Sequence, residues 1–333
     1  MKSKEYSIVI RTLGTAGCKY QALLDSINAQ TLLPKEVIVV IPHGYELPPE
    51  RLGYEKFVRS EKGMVIQRCV GLSEMTTELG LFLDDDLSFD SRFAETLVEG
   101  IDKYDADVVF PILKELLPQT KKQKFLAAIT FSAIPFKSSK WYTKIYRNGS
   151  YGYCNQALTE ESYYAMTAPG ACFLTKKASF EQIHFEEELW LESTPYALPE
   201  DQVMFYKFFL NNSIVKGLTT CLYNHLDAGG KSIGRAQIAA YSMSRNKLIF
   251  WHRFIYSYVH NKINCAYSLL SYIMTVCVNI TIAFILTLIG LKPFILTKES
   301  IKGLIDGYKF IHSYQYKTMT PVSNKSSKRN LSI

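Results

Sequence analysis

The sequence predicts an α/β protein with a mostly parallel central sheet, followed by a C-terminal region of apolar and amphipathic helices that associates with a membrane. Three observations carry this prediction. Short β-branched runs alternate with amphipathic helical periods through the first third of the chain, the pattern of a parallel sheet covered on both faces. Residues 263–291 hold no formal charge, and about 20 apolar residues suffice to span a bilayer. From Lys292 onward eight Lys/Arg face two acids, so +6 of the net charge of +7 lies behind that apolar stretch.

The elements follow in order. Residues 6–10 (YSIVI) read as a buried strand, and 20–29 as a helix with Leu23, Leu24 and Ile27 on one face. Residues 36–41 (EVIVVI) are a second buried strand, 64–78 a helix, and 79–83 a strand that runs into Asp84-Asp85-Asp86. A helix over 93–104 and a strand over 107–112 continue the alternation. Residues 116–165, rich in Lys and aromatics such as Trp141 and Tyr151, predict an irregular segment, either a substrate-facing insertion or an ordinary connection. A strand over 171–174, an acidic stretch at 185–189, a helix opening at Pro199-Glu200-Asp201-Gln202 and an apolar run over 214–222 complete the body. Residues 299–311 place Ile301, Leu304, Ile305, Tyr308 and Ile311 on one face, as in a helix lying on anionic lipid.

The 333 residues are 47% hydrophobic and 21% charged, which excludes a disordered or low-complexity chain. Seven scattered Cys without a CxxC pair suggest neither a zinc site nor a disulfide framework. The charged N-terminal stub passes straight into a strand, so no signal peptide is expected and the folded part belongs in a reducing cytoplasm. The sequons at Asn148, Asn211, Asn279, Asn324 and Asn330 are then chance matches. A nearly neutral body argues against a nucleic-acid partner.

The strongest local signal is LFLDDDLSFD, residues 81–90. Three carboxylates at the carboxyl end of an apolar strand repel one another, and a hard divalent cation, Mg²⁺ or Mn²⁺, would relieve that repulsion. Alternation along a strand puts Asp84 and Asp86 on one side and Asp85 on the other. Taken alone, such a run is more readily a turn or helix cap, because Asp favours both.

In context these residues resemble the family-2 glycosyltransferases, the inverting, nucleotide-diphospho-sugar-dependent enzymes of GT-A fold found in bacterial cell-surface polysaccharide synthesis. The opening SIVIRTLG, the segment GMVIQRCVGL with Arg68 and Gly71, LFLDDD, APGACFLTKKASFEQIHFEEEL, PEDQ and SRNKLIF fall in that family's order over about residues 5–255. The chain departs from the pattern in three places. Ile41-Pro42-His43 stands where an acidic pair holds the nucleotide base, Cys69 replaces an Asn, and His184 stands where Gly is frequent.

The resemblance implies direct displacement at an anomeric carbon. Asp86, Asp84 and His225 are implied as metal ligands. Thr12, Arg68, Asp84 and Asp85 are implied on the nucleotide-sugar side, Asp201 as general base, and Glu200 as its neighbour or an acceptor contact. It divides the chain into a donor-binding half (1–115), an acceptor-binding half (116–240) and membrane-associated helices with a basic tail (241–333). The implied partners are a nucleotide-sugar donor, a UDP-sugar by the resemblance, a lipid-linked or glycan acceptor, and the cytoplasmic face of the membrane. A sugar-phosphate nucleotidyltransferase and a catalytically inactive membrane scaffold are the competing classes. The former wants a basic residue in the glycine-rich loop, where this chain has Leu13-Gly14-Thr15-Ala16-Gly17.

Overall fold

The computed structural model describes residues 5–226, 232–258 and 261–322. Part of the segment after His225 and the last basic residues of the tail (Lys325, Lys328 and Arg329), with Asn324 and Asn330, lie outside the described residues.

Eleven strands form one sheet. Its first half is built from β1 (Tyr6–Arg11), β2 (Glu36–Pro42), β3 (Lys56–Ser60), β4 (Leu79–Asp84), β6 (Val108–Pro111), β11 (Cys172–Lys176) and β12 (Val215–Leu218). The strand order β3-β2-β1-β4-β11-β6-β12 then continues through β10 (Ser162–Ala165), β8 (Trp141–Ile145), β9 (Tyr151–Cys154) and β7 (Ala133–Phe136). β3, β2, β1 and β4 are mutually parallel, and β11 enters antiparallel between β4 and β6. The short ribbon β5 (Leu87–Phe89) with β13 (Tyr223–His225) sits off the edge. This α/β, mostly parallel sheet with a helical C-terminal region is the architecture that the glycosyltransferase resemblance implies.

Both faces are covered, which is why the central strands are apolar throughout rather than alternating. Helices α1 (Cys18–Asn28) and α3 (Phe93–Lys103) bury Leu23, Leu24, Leu97 and Ile101 on one face. Helices α2 (Met64–Glu74), α5 (Lys177–Glu181), α6 (Glu200–Leu210) and α7 (Ile233–Phe254) bury Val65, Phe180, Phe205 and Ile249 on the other. Gly71 lets α2 approach the sheet so closely that any Cβ there would collide with Val9.

Three differences from the sequence reading have physical causes. Helix α2 stops at Glu74 rather than near 78, because the Glu36 carboxylate accepts the Thr76 N–H (2.7 Å) and hydroxyl (2.9 Å) and draws the chain out of the helix. Strand β3, KFVRS, was not predicted; it is a charged edge strand without clear alternation. The segment 116–165 is regular, forming α4 (Lys121–Ile129) and four strands that extend the sheet. Those strands have only four or five residues and one contains Pro135, so they leave little periodic signal.

At the C-terminal end, α8 (Lys262–Leu288) contains the uncharged stretch and α9 (Phe294–Ile311) the amphipathic one. The inward face of α9 is not the expected apolar stripe. Thr297, Gly303, Gly307 and Ile311 are buried, whereas Ile305 and Tyr308 are exposed. A Cβ at Gly303 would collide with the Tyr241 carbonyl, and one at Gly307 would lie 2.9 Å from that of Arg245. Small residues thus let one face of α9 pack directly along α7, while Ile305 and Tyr308 of the expected apolar face stay exposed.

Candidate active site

The site lies at the carboxyl edge of the central strands, where open α/β sheets bind ligands. β1 and β4 run parallel in a register that sets Arg11 beside Asp84. The guanidinium takes both carboxylate oxygens, Nε to Oδ1 at 2.6 Å and Nη2 to Oδ2 at 2.9 Å. Burial disfavours the Arg11 charge, but Asp84 more than offsets this and its pKa is raised. Arg11 was not singled out from the sequence. The signal was there: a cation closing an otherwise buried strand needs an anion at the same level.

Beyond Asp84 the chain turns. Asp85 faces the other way and accepts the Thr12 hydroxyl at 2.5 Å, while Thr12 in turn accepts the Gly14 N–H at 2.9 Å. Burial raises the Asp85 pKa, opposed by the Thr12 hydrogen bond. The β13–β5 pairing sets His225 opposite Leu87, and the Leu226 N–H donates to the Asp86 carbonyl at 2.8 Å. His225 Nε2 therefore lies 3.4 Å from Asp86 Oδ1. Asp84, Asp86 and His225 each offer a ligand atom, all within 4.8 Å of one another. Carboxylate oxygens and one imidazole nitrogen suit Mg²⁺ or Mn²⁺, the latter accepting nitrogen more readily. Arg11 hydrogen-bonds both oxygens of Asp84, and His225 approaches Asp86.

A second carboxylate pair opens α6. Glu200 is 3% exposed and its Oε1 lies 3.1 Å from Arg68 Nη1 and 3.9 Å from Arg11 Nη2. Arg68, 2% exposed on α2, also donates to the Gly170 carbonyl at 2.9 Å. Arg68 is thus neither a surface-helix residue nor turned to open solvent; it is the counter-ion of Glu200. Glu200 is buried and turned toward Arg68. Asp201 accepts the Gln202 N–H at 2.7 Å. Its pKa is pushed up to about 7 by burial and by the Glu200 charge, against the pull of Arg68 and Arg11. Gly170 separates Arg68 from Asp201: a Cβ there would lie 2.8 Å from Arg68 Nη2 and 3.0 Å from Asp201 Cβ.

Around Asp201, burial raises the Tyr151 phenol and lowers the Lys247 ammonium, and each feels the Asp201 charge. Arg245 and Asn246, in the SRNKLIF segment, are buried supports. Asn246 Nδ2 donates to the Leu198 carbonyl at 2.7 Å and so fixes the approach to Glu200. Trp190 is core, its indole donating to Glu188 at 2.6 Å, and Glu188 also binds Lys207 (2.8 Å) and Arg253 (2.9 Å). Trp141 packs against Tyr164 and Phe209. His184, at φ +47°, occupies the left-handed conformation that accounts for a glycine preference there. Sequence reasoning also missed Glu192, whose Oε1 accepts the Val65 and Ile66 N–H groups at 2.6 and 3.0 Å and caps α2.

No family model and no curated protein sequence matches the chain. Among solved structures, it is similar to GalNAc-T7 with UDP, GalNAc and Mn²⁺, with a TM-score of 0.48 and 12% identity over 72% of this chain and 48% of that one. It is also similar to TarS of S. aureus, with a TM-score of 0.43 and 15% identity over 79% of this chain and 41% of that one. The chain spans less than half the length of either.

Proposed function

We propose that the protein is an inverting glycosyltransferase that moves a sugar from a nucleoside-diphosphate donor, a UDP-sugar, to a lipid-linked or polysaccharide acceptor at the cytoplasmic face of a membrane. The observation that carries this reading is the pairing of two unlike carboxylate centres at one sheet edge. Asp84, Asp86 and His225 form a metal-ligand set, and Asp201 is a desolvated carboxyl with a pKa near neutrality. The Arg11–Glu200–Arg68 chain joins them.

The residues divide the work. Thr12 and Asp85 border the donor side, where their mutual hydrogen bond orients both for the nucleoside. Asp86 and His225, with Asp84 beside them, would hold Mg²⁺ or Mn²⁺, which when bound neutralises charge developing on the leaving diphosphate. Asp201 takes the acceptor hydroxyl proton as that oxygen bonds to the anomeric carbon and the bond to the diphosphate oxygen breaks. A base whose pKa lies near the working pH is well matched to that transfer. Burial and the Glu200 charge hold the Asp201 pKa up, and Arg68 and Arg11 hold Glu200 in place. The exposed apolar surface of α8 brings the site to a membrane-borne acceptor.

The test is a donor screen. Purified protein, a panel of nucleotide sugars and Mg²⁺ or Mn²⁺ are incubated with membrane lipid extract, and free nucleoside diphosphate is measured. Metal-dependent release from one donor, lost on chelation, is the expected result. No release from any donor, with intact nucleotide binding, would exclude the transferase reading.

A further inference from the structure

Helix α8 has 27 residues, a length of about 40 Å, and its composition allows a membrane span. Its seating argues against one. In its N-terminal half Ser268 Oγ donates to the Arg147 carbonyl at 2.8 Å and receives the Trp251 indole N–H at 3.1 Å. Tyr272 stacks on Trp251 with centroids 4.2 Å apart, and Thr275 Oγ1 accepts Asn148 Nδ2 at 2.8 Å. Near its other end Ala283 is buried, and Thr287 Oγ1 lies 3.2 Å from Thr297 Oγ1 of α9. α9 returns along α7, and Arg253 Nη1 donates to the Thr320 carbonyl at 3.0 Å.

Two points nineteen residues apart, about 28 Å of helix, therefore rest on the same folded body. A span across a hydrocarbon core of about 30 Å would carry one of them to the far side, drawing the Arg147 turn or the lysine-bearing α9 into lipid. Burial of such charges in hydrocarbon is strongly unfavourable.

We infer that α8 is an in-plane, monotopic anchor. It is docked to the protein through the edge Ser268–Tyr272–Thr275–Ala283 and inserts its outer face into a single leaflet of anionic lipid. Leu270, Met274, Ile285 and Leu288 form that outer face, Leu288 being 84% exposed. The leaflet is anionic because exposed Lys262 opens α8 and exposed Lys298 and Lys302 lie on the α9 that follows it, while the nearby acids Glu299 and Asp306 are only half-exposed. The seat also lies beside the site: the Gly149 carbonyl, in the same turn as Arg147 and Asn148, accepts Gln202 Nε2 at 3.1 Å, one residue from Asp201. An in-plane anchor thereby holds the base at a fixed height over the leaflet that carries the acceptor. The inference rests on the membrane reading above and adds to it the sidedness of both helix ends.

The experiment places single cysteines just beyond either end of α8 in the full chain, Asn261→Cys or Lys292→Cys, outside the inserted face, with the exposed Cys18 and Cys277 and the half-buried Cys69 and Cys265 changed to Ser. Right-side-out and inverted membrane vesicles from expressing cells are treated with a membrane-impermeant maleimide. Labelling of both positions from one and the same face is expected. Labelling from opposite faces would overturn the in-plane anchor while leaving membrane attachment standing. Loss of the protein from the vesicles on high-salt washing would instead remove the membrane reading itself, because salt screens charge but not apolar insertion. As a second variant, replacing Leu270, Met274, Ile285 and Leu288 together by Gln should release the folded protein from vesicles with nucleotide binding retained. Continued membrane attachment of that variant would also overturn the assignment.

Discussion

The two carboxylate centres differ in water, not in residue type. Asp84 and Asp86, at the end of β4, keep partial solvent access, and Asp86 faces a histidine, a set that suits a cation. Glu200 and Asp201, at the start of α6, lie among buried groups where two adjacent negative charges are costly. Two arginines pair with Glu200, and burial beside the Glu200 charge pushes the Asp201 pKa up to about 7. One residue type thus serves as ligand in a wet centre of two half-exposed carboxylates and as proton acceptor in a dry one, beside the buried Glu200.

The comparison breaks first at Asp201. Asp201→Asn keeps the side-chain size and should lower transfer by roughly two to four powers of ten, the usual loss on removing a general base. Nucleotide affinity should stay unchanged. A folded variant with near-native transfer would take Asp201 out of the chemistry and leave helix-terminal stabilisation as its role. The wet centre is tested by Asp86→Ala, for which titration should show metal-dependent nucleotide affinity falling by at least the roughly 10–100-fold that loss of an outer-shell partner costs. Chelator should then have no further effect. Affinity that is metal-independent in the unaltered chain would sink the ligand set.

Smaller effects sharpen the division. Arg68→Met leaves Glu200 buried with only the more distant Arg11, and denaturant unfolding should register a loss of about 3–5 kcal/mol. Adding Glu200→Gln should recover part of it; an additive double variant would show that the two side chains are not coupled. Gly170→Ala forces a methyl between Arg68 and Asp201, and about 1–3 kcal/mol of overpacking is expected.

Much of this was readable from the residues. The buried strands over 6–10, 36–41 and 79–83, with the helices between them, are long apolar or periodic segments whose local preference and tertiary setting agree. Alternation placed Asp84 and Asp86 on the side opposite Asp85, as the structure has them. What escaped depends on partners distant in sequence. Arg11 acquires its meaning only once β1 lies beside β4, and Glu192 only once the 3₁₀ segment Phe185–Ser193 abuts α2. The amphipathic pattern of 299–311 does not reveal that Gly303 and Gly307, on its other face, open a close approach to α7. Short aromatic strands between 133 and 165 lack the length for a period to declare itself.

The most direct test of the dry centre is the pH dependence of transfer at saturating donor and metal. Burial and Glu200 hold the Asp201 proton up to about 7. Below that pH the carboxyl is protonated and cannot accept the acceptor's proton, so the rate should fall about tenfold per unit on the acid side. Asp201→Asn should abolish that limb along with most of the rate. A rate independent of pH between about 5 and 8, or an acid limb near the ordinary carboxylate range of about 4, would contradict the assignment of Asp201 as the desolvated base.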